Sequence, residues 1–367
     1  MKSRLWKPPV RPVAKIRVSM PDKVLDMSTY AALDLGTNNC RLLIARPSTY
    51  GFRIIDSFSR IVRLGEGLGS TGKLCEPAIE RTISALKLCF DRLTDKNVGN
   101  RRLIATEACR AASNGDAFLD RVFTSTGLRL EIVNRQVEAE LAASGCAVLM
   151  SKAADSVILF DIGGGSTEVV WLASDRYGTS IGQRIRQWTS LPVGVVTLAE
   201  KHGGINVDQT VYDRMVAEVA DLLAPFAATI DQRKLGRHFH LLGTSGTVTT
   251  IAAMHLKLQR YDRRVVDGLW MNTNDADNVI RELMATPYDK RADNPCIGSD
   301  RADLVLAGCA IYDAVARAFP TERMRIADRG LREGILMQMM MRDGVWMASN
   351  TAQPGYASQA PQPQVQP

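Results

Sequence analysis

Two short apolar runs with a glycine turn between them form the most distinctive pattern along the chain. The run at 157–160 ends in Asp161, three glycines with Ser166 and Thr167 follow, and a second apolar run opens with Glu168. Both runs are rich in Val and Ile, which predicts two buried strands. The turn has almost no side chains, so its backbone N–H groups could approach an anion closely, as a nest. A tight hairpin that binds no ligand is the alternative interpretation.

The same pattern occurs near the start of the chain. An apolar run from Tyr30 ends at Asp34 and Leu35, a turn of small polar residues begins at Gly36, and a further apolar run follows Arg41. The two copies lie about one domain length apart, which predicts two related halves. Each turn leads into a strand rather than a helix, and neither GxGxxG nor GxxxxGK[ST] occurs. The sequence therefore excludes an ordinary dehydrogenase and a P-loop NTPase.

Strands and amphipathic helices alternate over the rest of the chain, which predicts an α/β fold. We predict a strand pair at Gly51–Arg63, an amphipathic helix at Pro77–Leu93 and a helix at Gln136–Met150. A third glycine turn, at 243–247, follows a strand and leads into a helix. A phosphate or a nucleoside could bind at that helix N-terminus.

Several charged residues stand beside these turns and strand ends. Glu138 lies in the first turn of its helix, just beyond a strand end, where functional residues of α/β folds gather; a solvated helix face is the alternative. Arg110 could fork onto phosphate oxygens, or pair with Glu107 at the surface. Asp161 and Glu168 stand at the two ends of the central nest and would repel a bare phosphate. We therefore expect a divalent cation that bridges protein and phosphate.

The bulk composition bounds the class of protein. A length of 367 residues suggests two domains, and 46% hydrophobic with 23% charged residues is typical of a soluble globular protein. We find no apolar run of about 18 residues and no apolar N-terminal region, so we expect neither a membrane span nor a secretory signal. Seven scattered cysteines without a CxxC pair indicate reduced thiols and a cytoplasmic protein.

The net charge is concentrated at one end of the chain. Most of the formal charge of +7 lies in residues 1–28, which we predict to be a disordered basic arm. Residues 343–367 are predicted to be a disordered Gln/Pro tail. The remainder is only mildly basic, which argues against specific nucleic-acid binding.

Six motifs resemble, in the same order, those of the exopolyphosphatase / guanosine pentaphosphate phosphohydrolase family, which has the actin-like ATPase fold. They lie at 34–42, 106–114, 138–139, 161–168, 243–247 and 328–334. The resemblance implies two actin-like (ribonuclease H-like) domains, at 29–142 and 143–342, with a phosphate-binding cleft between them. The last helix could pack back on the first domain. The chain departs from the family pattern at Val137, in place of a second acid, and at Asn134–Arg135, in place of Ser-Gly.

The resemblance also implies an exopolyphosphatase that removes the terminal phosphate of inorganic polyphosphate. Glu138 matches the catalytic glutamate that activates water, and Asp161 and Glu168 match acidic residues of the metal site. The cofactor implied is Mg²⁺ or Mn²⁺, with a monovalent cation such as K⁺ as a second ion, and we expect a homodimer. The expected phosphate-binding residues are Asp34, Gly36, Thr37, Asn38, Arg41, Arg110, Gly163, Gly164, Gly165, Ser166, Thr167, Gly243, Thr244 and Ser245.

Three other functions stay open at this point. Guanosine pentaphosphate (pppGpp) presents the same terminal phosphoanhydride as polyphosphate, so a pppGpp 5′-phosphohydrolase is the nearest alternative. An actin-like nucleotide-dependent kinase or filament protein, and a catalytically silent polyphosphate sensor, are the others. No Ser or Cys has an evident His base, so we expect direct attack by water rather than a phospho-enzyme.

Overall fold

The structure is a computed structural model that describes residues 28–48, 51–174 and 180–345. Nearly all of the predicted basic arm and most of the predicted Gln/Pro tail lie outside these residues. Within them, no helix is both long enough and apolar enough to cross a membrane.

The first half of the chain forms a five-stranded sheet with the order β3-β2-β1-β4-β5. Strand β2 runs antiparallel to its neighbours β1 and β3, whereas β4 and β5 run parallel to β1. The predicted strand pair at Gly51–Arg63 is wrong, because the segment is a single strand that pairs with β2 along its length. Residues 52–61 contain neither glycine nor proline, so the backbone can stay extended through Asp56 and Ser57. The strands are β1 (Tyr30–Leu35), β2 (Asn39–Ser48), β3 (Gly51–Ile61), β4 (Asn100–Ala105) and β5 (Glu131–Ile132).

The second half forms a six-stranded sheet that repeats the first. Its order is β10-β11-β9-β6-β7-β8, with β6, β7 and β8 antiparallel and with β9 and β11 parallel to β6. One additional strand, β10, pairs antiparallel with β11 at the edge. The strands are β6 (Ser156–Ile162), β7 (Thr167–Ala173), β8 (Ile185–Leu191), β9 (Phe239–Thr244), β10 (Trp270–Asn272) and β11 (Arg323–Ala327). The predicted α/β fold with two related, ribonuclease H-like halves is confirmed.

Helices connect the strands and cover the sheets, because the apolar central strands must be buried on both faces. The helices of the first half are α1 (Leu68–Thr71), α2 (Glu76–Asp95), α3 (Glu107–Ala111), α4 (Gly115–Thr126) and α5 (Arg135–Cys146). Those of the second half are α6 (Ile181–Arg184), α7 (Val195–His202), α8 (Gln209–Thr229), α9 (Gly246–His255), α10 (Arg263–Val266), α11 (Thr273–Ala285), α12 (Tyr288–Asp293), α13 (Val305–Ala318) and α14 (Leu331–Arg342).

Helices α5 and α14 lie side by side between the two sheets. Their backbones approach so closely that a Cβ on Gly145 would lie 1.9 Å from the Gly330 carbonyl oxygen, and one on Gly334 would lie 2.0 Å from that of Leu141. Helix α14 packs its apolar face on β1 and β2 of the first sheet, while α5 packs on β6 and β7 of the second. Helix α5 of the first half thus covers the second sheet, and helix α14 of the second half covers the first sheet. The boundary that we placed between residues 142 and 143 falls inside α5.

Candidate active site

A cleft of about 530 Å³ lies between the two halves, where several strands of both sheets end. The β1–β2 turn and the β6–β7 turn line it, together with the β9–α9 turn and the start of α14. Because the carboxyl ends of parallel strands meet at one edge of a sheet, residues distant in sequence converge here.

The two hairpin turns pack directly against each other through Thr37. A Cβ on Gly164 would lie 2.9 Å from the Thr37 Cβ, and one on Gly165 would lie 2.7 Å from the Thr37 Oγ1. Both turns close in the same way, since Gly36 donates to the Asn39 carbonyl and Gly163 to that of Ser166, each at 2.9 Å. The close contact therefore requires glycine on the second turn.

These turns also leave backbone donors free. In the part of the chain that the structure describes, the N–H groups of Thr37, Asn38, Gly164 and Gly165 donate no hydrogen bond to another residue. The four groups lie in the cleft wall, and such successive free N–H groups form an anion-binding concavity. The two turns can therefore hold one tetrahedral anion between them.

Four carboxylates surround the turns. Asp34 and Asp161 lie on equivalent strands, β1 and β6, and Glu168 faces Asp161 across the β6–β7 ladder. Glu138 enters the same cleft from α5. Burial raises the pKa of Asp34, and raises that of Asp161 to about 6. Burial followed by repulsion from Asp161 raises the pKa of Glu168 to about 7, and burial followed by repulsion from Glu168 raises that of Glu138 to about 9.

Glu138 is held in place by a chain of charged groups. Asn134 caps α5, accepting a hydrogen bond from the Val137 N–H at 2.9 Å, and so places Glu138 in the first helical turn. The Glu138 side chain is buried, and its Oε2 accepts a hydrogen bond from Arg110 Nη2 at 3.0 Å. Glu107 contacts Arg110 and also pairs with Arg135 Nη2 at 2.9 Å.

Three of the predicted phosphate-binding residues do not line the cleft. Arg110 points to Glu107 and Glu138 and donates to the Val133 carbonyl at 2.6 Å. It therefore binds two carboxylates of the cleft and is not itself part of the cleft wall. Thr167 is fully buried and donates to the Val193 carbonyl at 2.7 Å. Gly243 permits packing, since a Cβ there would lie 2.6 Å from the Phe160 ring.

The structure brings the other predicted residues together around the cleft. They are Asp34, Gly36, Thr37, Asn38, Arg41, Glu138, Asp161, Gly163, Gly164, Gly165, Ser166, Glu168, Thr244 and Ser245.

Sequence reasoning missed four arginines that line the cleft, Arg263, Arg329, Arg301 and Arg332, of which only the last two form no ion pair in the described structure. Within the described residues, neither these two nor Arg41 has a side-chain hydrogen bond or an ion pair, although all three line the cleft. Burial and the nearby Arg41 lower the pKa of Arg301, and burial lowers that of Arg332. Arg332 belongs to the motif at 328–334, which signals its location, whereas nothing around Arg301 in the sequence marks it.

The donor groups fit a divalent cation that is shared with a phosphate. Among the described residues, no three His, Cys, Asp or Glu side chains come close enough to enclose a metal ion by themselves. Mg²⁺ does not need such a cage, because it is usually held by one or two carboxylates together with waters and substrate phosphates. Asp161 and Glu168 are hard oxygen donors, and their raised pKa values reflect buried negative charge that a cation would neutralise.

Comparison with known proteins identifies the family. The sequence model of the Ppx/GppA phosphatase family matches residues 43–343. An exopolyphosphatase-like protein of solved structure is 27% identical with a TM-score of 0.77, over 86% of this chain and 98% of its own. The Aquifex aeolicus member of the Ppx/GppA family is 28% identical with a TM-score of 0.69, over 86% of this chain and 98% of its own.

A more distant relative has the same fold. An exopolyphosphatase from Cytophaga hutchinsonii is 23% identical with a TM-score of 0.76, over 87% of this chain and 99% of its own. The family match covers most of the described residues and includes the cleft residues from Leu43 onwards. The chain belongs to the Ppx/GppA phosphatase family.

Proposed function

We propose that the protein hydrolyses the terminal phosphate of inorganic polyphosphate, with Glu138 as the base that activates water. The observation that supports this most is the position of Glu138. A buried carboxylate, held by Arg110, enters the same cleft as two glycine turns with free N–H groups. The two turns can hold and neutralise a phosphoryl group, and Glu138 can position the water that attacks it.

The two turns would hold the terminal phosphoryl group. Phosphoryl transfer requires mainly that charge on the three equatorial oxygens be neutralised and that the nucleophile be held in line. The N–H groups of the turns supply fixed dipoles for those oxygens without reorganisation. A Mg²⁺ bound by Asp161 and Glu168 would add positive charge to the same phosphate.

Glu138 would accept a proton from the water that attacks the terminal phosphorus. The new P–O bond forms as the phosphoanhydride bond breaks, and the shortened polyphosphate leaves with the bridging oxygen. The base must be ionised to do this. Burial raises the Glu138 pKa to about 9 in the metal-free protein, whereas Arg110 lowers it and a Mg²⁺ bound nearby would lower it further. No histidine is among the residues that line the cleft, so no hydroxyl there has a His base of the kind that activates serine nucleophiles, which favours direct attack by water.

The cationic side of the cleft fits the rest of a polyanion. Burial and repulsion from Arg41 lower the pKa of both Arg301 and Arg332. None of the three forms a salt bridge in the described structure, although Glu333 and Asp34 attract Arg332 from a distance. A chain of phosphates would add counter-charge in direct contact with them. Guanidinium groups bind phosphate oxygens in a bidentate manner. This placement of charge is the reason for naming a polyphosphate rather than a phosphomonoester.

The test is phosphate release from long-chain polyphosphate, with and without Mg²⁺, by the wild type, Glu138→Gln and Glu140→Gln. Glu140 lies half-buried on the same helix, interacts only with Gln136 among the described side chains, and does not line the cleft. We expect Glu138→Gln to lose at least about a hundredfold in kcat while polyphosphate still binds, and Glu140→Gln to match the wild type. Near-normal turnover by Glu138→Gln would contradict the base assignment.

Assays with other substrates separate the alternatives. A higher kcat/KM for pppGpp than for polyphosphate would make the protein a guanosine pentaphosphate phosphohydrolase with the same site. ATP-dependent phosphorylation of a sugar, without hydrolysis of either phosphoanhydride, would overturn the proposal in favour of a kinase.

A further inference from the structure

The side chain of Arg63 joins the two halves of the molecule beside the cleft. Arg63 follows β3 in the first half, and Asp303 precedes α13 in the second, 240 positions later. The two guanidinium Nη atoms bind the two Asp303 carboxylate oxygens at 2.9 and 3.0 Å. Nη2 also donates to the Asp300 carbonyl at 3.1 Å. Three hydrogen bonds in a fork give this contact one defined geometry.

The backbone of the same residue supports the first glycine turn. The Arg63 N–H donates to the Asn38 carbonyl at 3.1 Å, and the Gly65 N–H donates to the Thr37 carbonyl at 2.9 Å. Gly65 is in close contact with Thr37, since a Cβ there would lie 2.2 Å from the Thr37 Cγ2. The loop that carries Arg63 is therefore the support of the proposed phosphate-binding turn.

On the other side, Asp303 belongs to the turn that presents Arg301. This turn is closed by the hydrogen bonds from the Arg301 N–H to the Gly298 carbonyl at 3.1 Å and from the Leu304 N–H to the Arg301 carbonyl at 3.0 Å. The Arg301 guanidinium reaches the start of α9, where its Nη1 lies 3.4 Å from the position of a Cβ on Gly246. It has no polar side-chain partner within the described residues.

The backbone of Arg63 adopts a conformation that non-glycine residues rarely take. Its φ is +45°, in the left-handed region. Such a conformation persists only where the surroundings stabilise it, and it clusters at active sites and ligand-binding segments. Here it allows the N–H to face Asn38 while the side chain reaches Asp303.

We propose that the Arg63–Asp303 pair is a positioning element that places the Arg301 guanidinium against the phosphate chain held by the first glycine turn. The inference rests on the proposed function for its ligand class, a polyphosphate. Arg63 contacts the Arg301 turn and the phosphate-binding turn at once, so it sets the distance between them. Without the pair, the distance between the Arg301 turn and the phosphate-binding turn is no longer fixed. A small misplacement of a binding group can lower catalytic efficiency strongly.

The experiment measures tripolyphosphate binding by titration calorimetry and phosphate release from polyphosphate for the wild type, Arg63→Gly and Asp303→Asn. Glycine suits the positive φ, so Arg63→Gly removes the side chain without adding backbone strain. The control is Glu66→Gln. Glu66 lies in the same loop as Arg63, but its 2.6 Å ion pair is with Arg81 of α2, so this variant breaks a contact inside the first half rather than one between the halves. We expect both test variants to weaken tripolyphosphate binding by about tenfold and to raise KM more than they lower kcat, with Glu66→Gln unchanged.

A double-mutant cycle with Arg301→Ala decides whether Arg63 acts through Arg301. We expect Arg63→Gly to have little further effect in the Arg301→Ala background, because interacting residues are not additive. Independent, multiplying effects, or normal binding by Arg63→Gly, would overturn the inference. If wild type binds tripolyphosphate but hydrolyses neither polyphosphate nor pppGpp, the proposed function fails, and the binding cycle still decides the role of the pair.

Discussion

Arg110 Nη2 donates to Glu138 Oε2 at 3.0 Å, and the same guanidinium contacts Glu107. The sequence offered two roles for Arg110, a phosphate ligand or a surface ion pair with Glu107. The ion pair with Glu107 is present, but Arg110 also binds a residue of the candidate active site. Its partner is the candidate base rather than a phosphate oxygen. Arg110 lowers the pKa of Glu138 against the effect of burial, so it keeps more of the base ionised near neutral pH.

We predict that Arg110→Lys lowers kcat/KM for polyphosphate on the order of a hundredfold. Lysine keeps a positive charge but loses the fork that binds Glu107, Glu138 and the Val133 carbonyl together. With weaker stabilisation of the carboxylate, the acidic limb of the pH–rate profile should move to higher pH. Arg102→Lys, which alters an exposed pair with Glu131, is the control and should leave the profile in place.

Ser245 offers a test of strain at the third glycine turn. Its φ is +112°, a region that L side chains rarely adopt, and its buried Oγ has no hydrogen-bond partner among the described residues. Ser245→Gly should raise the free energy of unfolding by about 1 kcal/mol and lower kcat/KM, because a cleft hydroxyl is lost.

The matched variant is Lys257→Gly, which relieves a φ of +50° at an exposed position outside the cleft wall. It should also stabilise the protein, as measured by thermal denaturation, but leave kcat/KM unchanged. Full activity in Ser245→Gly would show that the strained serine has no part in binding.

The contact between the two glycine turns predicts a steric effect. In Gly165→Ala the new Cβ would lie 2.7 Å from the Thr37 Oγ1 and 3.3 Å from the Glu107 Cγ. We expect the overpacking to lower the free energy of unfolding by about 1–3 kcal/mol. Phosphate release should also be lost, since the two turns must move apart. Gly182→Ala, which adds a Cβ with no heavy atom within 4 Å, should affect neither unfolding nor activity.

The buried carboxylates predict how stability depends on pH. Their folded pKa values are raised, to about 6 for Asp161, about 7 for Glu168 and about 9 for Glu138. A group with a raised folded pKa stabilises the fold below its unfolded pKa, and this contribution is lost as pH rises through the folded value. The Tm of metal-free protein should therefore fall by several degrees between pH 5 and pH 9.

Addition of Mg²⁺ should reverse this loss, and more at pH 8 than at pH 5, because a cation stabilises the ionised carboxylates. Glu138→Gln should flatten the upper part of the pH dependence. A Tm that does not change over this range, or a Mg²⁺ effect that is the same at both pH values, would contradict the assignment of Asp161 and Glu168 to a cation site.

The sequence by itself determined the local parts of the site. Each hairpin is a strand, a glycine turn and a strand in continuous sequence, so apolar patterning and glycine position were enough to place both turns and their Asp34 and Asp161 ends. Glu138 was assigned as the base only through the resemblance to a known family, because its place in a first helical turn just beyond a strand end is also that of a solvated glutamate.

Only the tertiary structure decided the contacts between distant segments. The partners of Arg110, the free guanidinium of Arg301 and the Arg63–Asp303 pair depend on how two halves of the chain pack, and the last joins residues 240 positions apart. Charged side chains have no periodic signature, and an arginine that faces a cleft looks in sequence like one on the surface. The close packing of α5 against α14 between the sheets likewise depends on backbone contacts at Gly145 and Gly334, which no local pattern encodes.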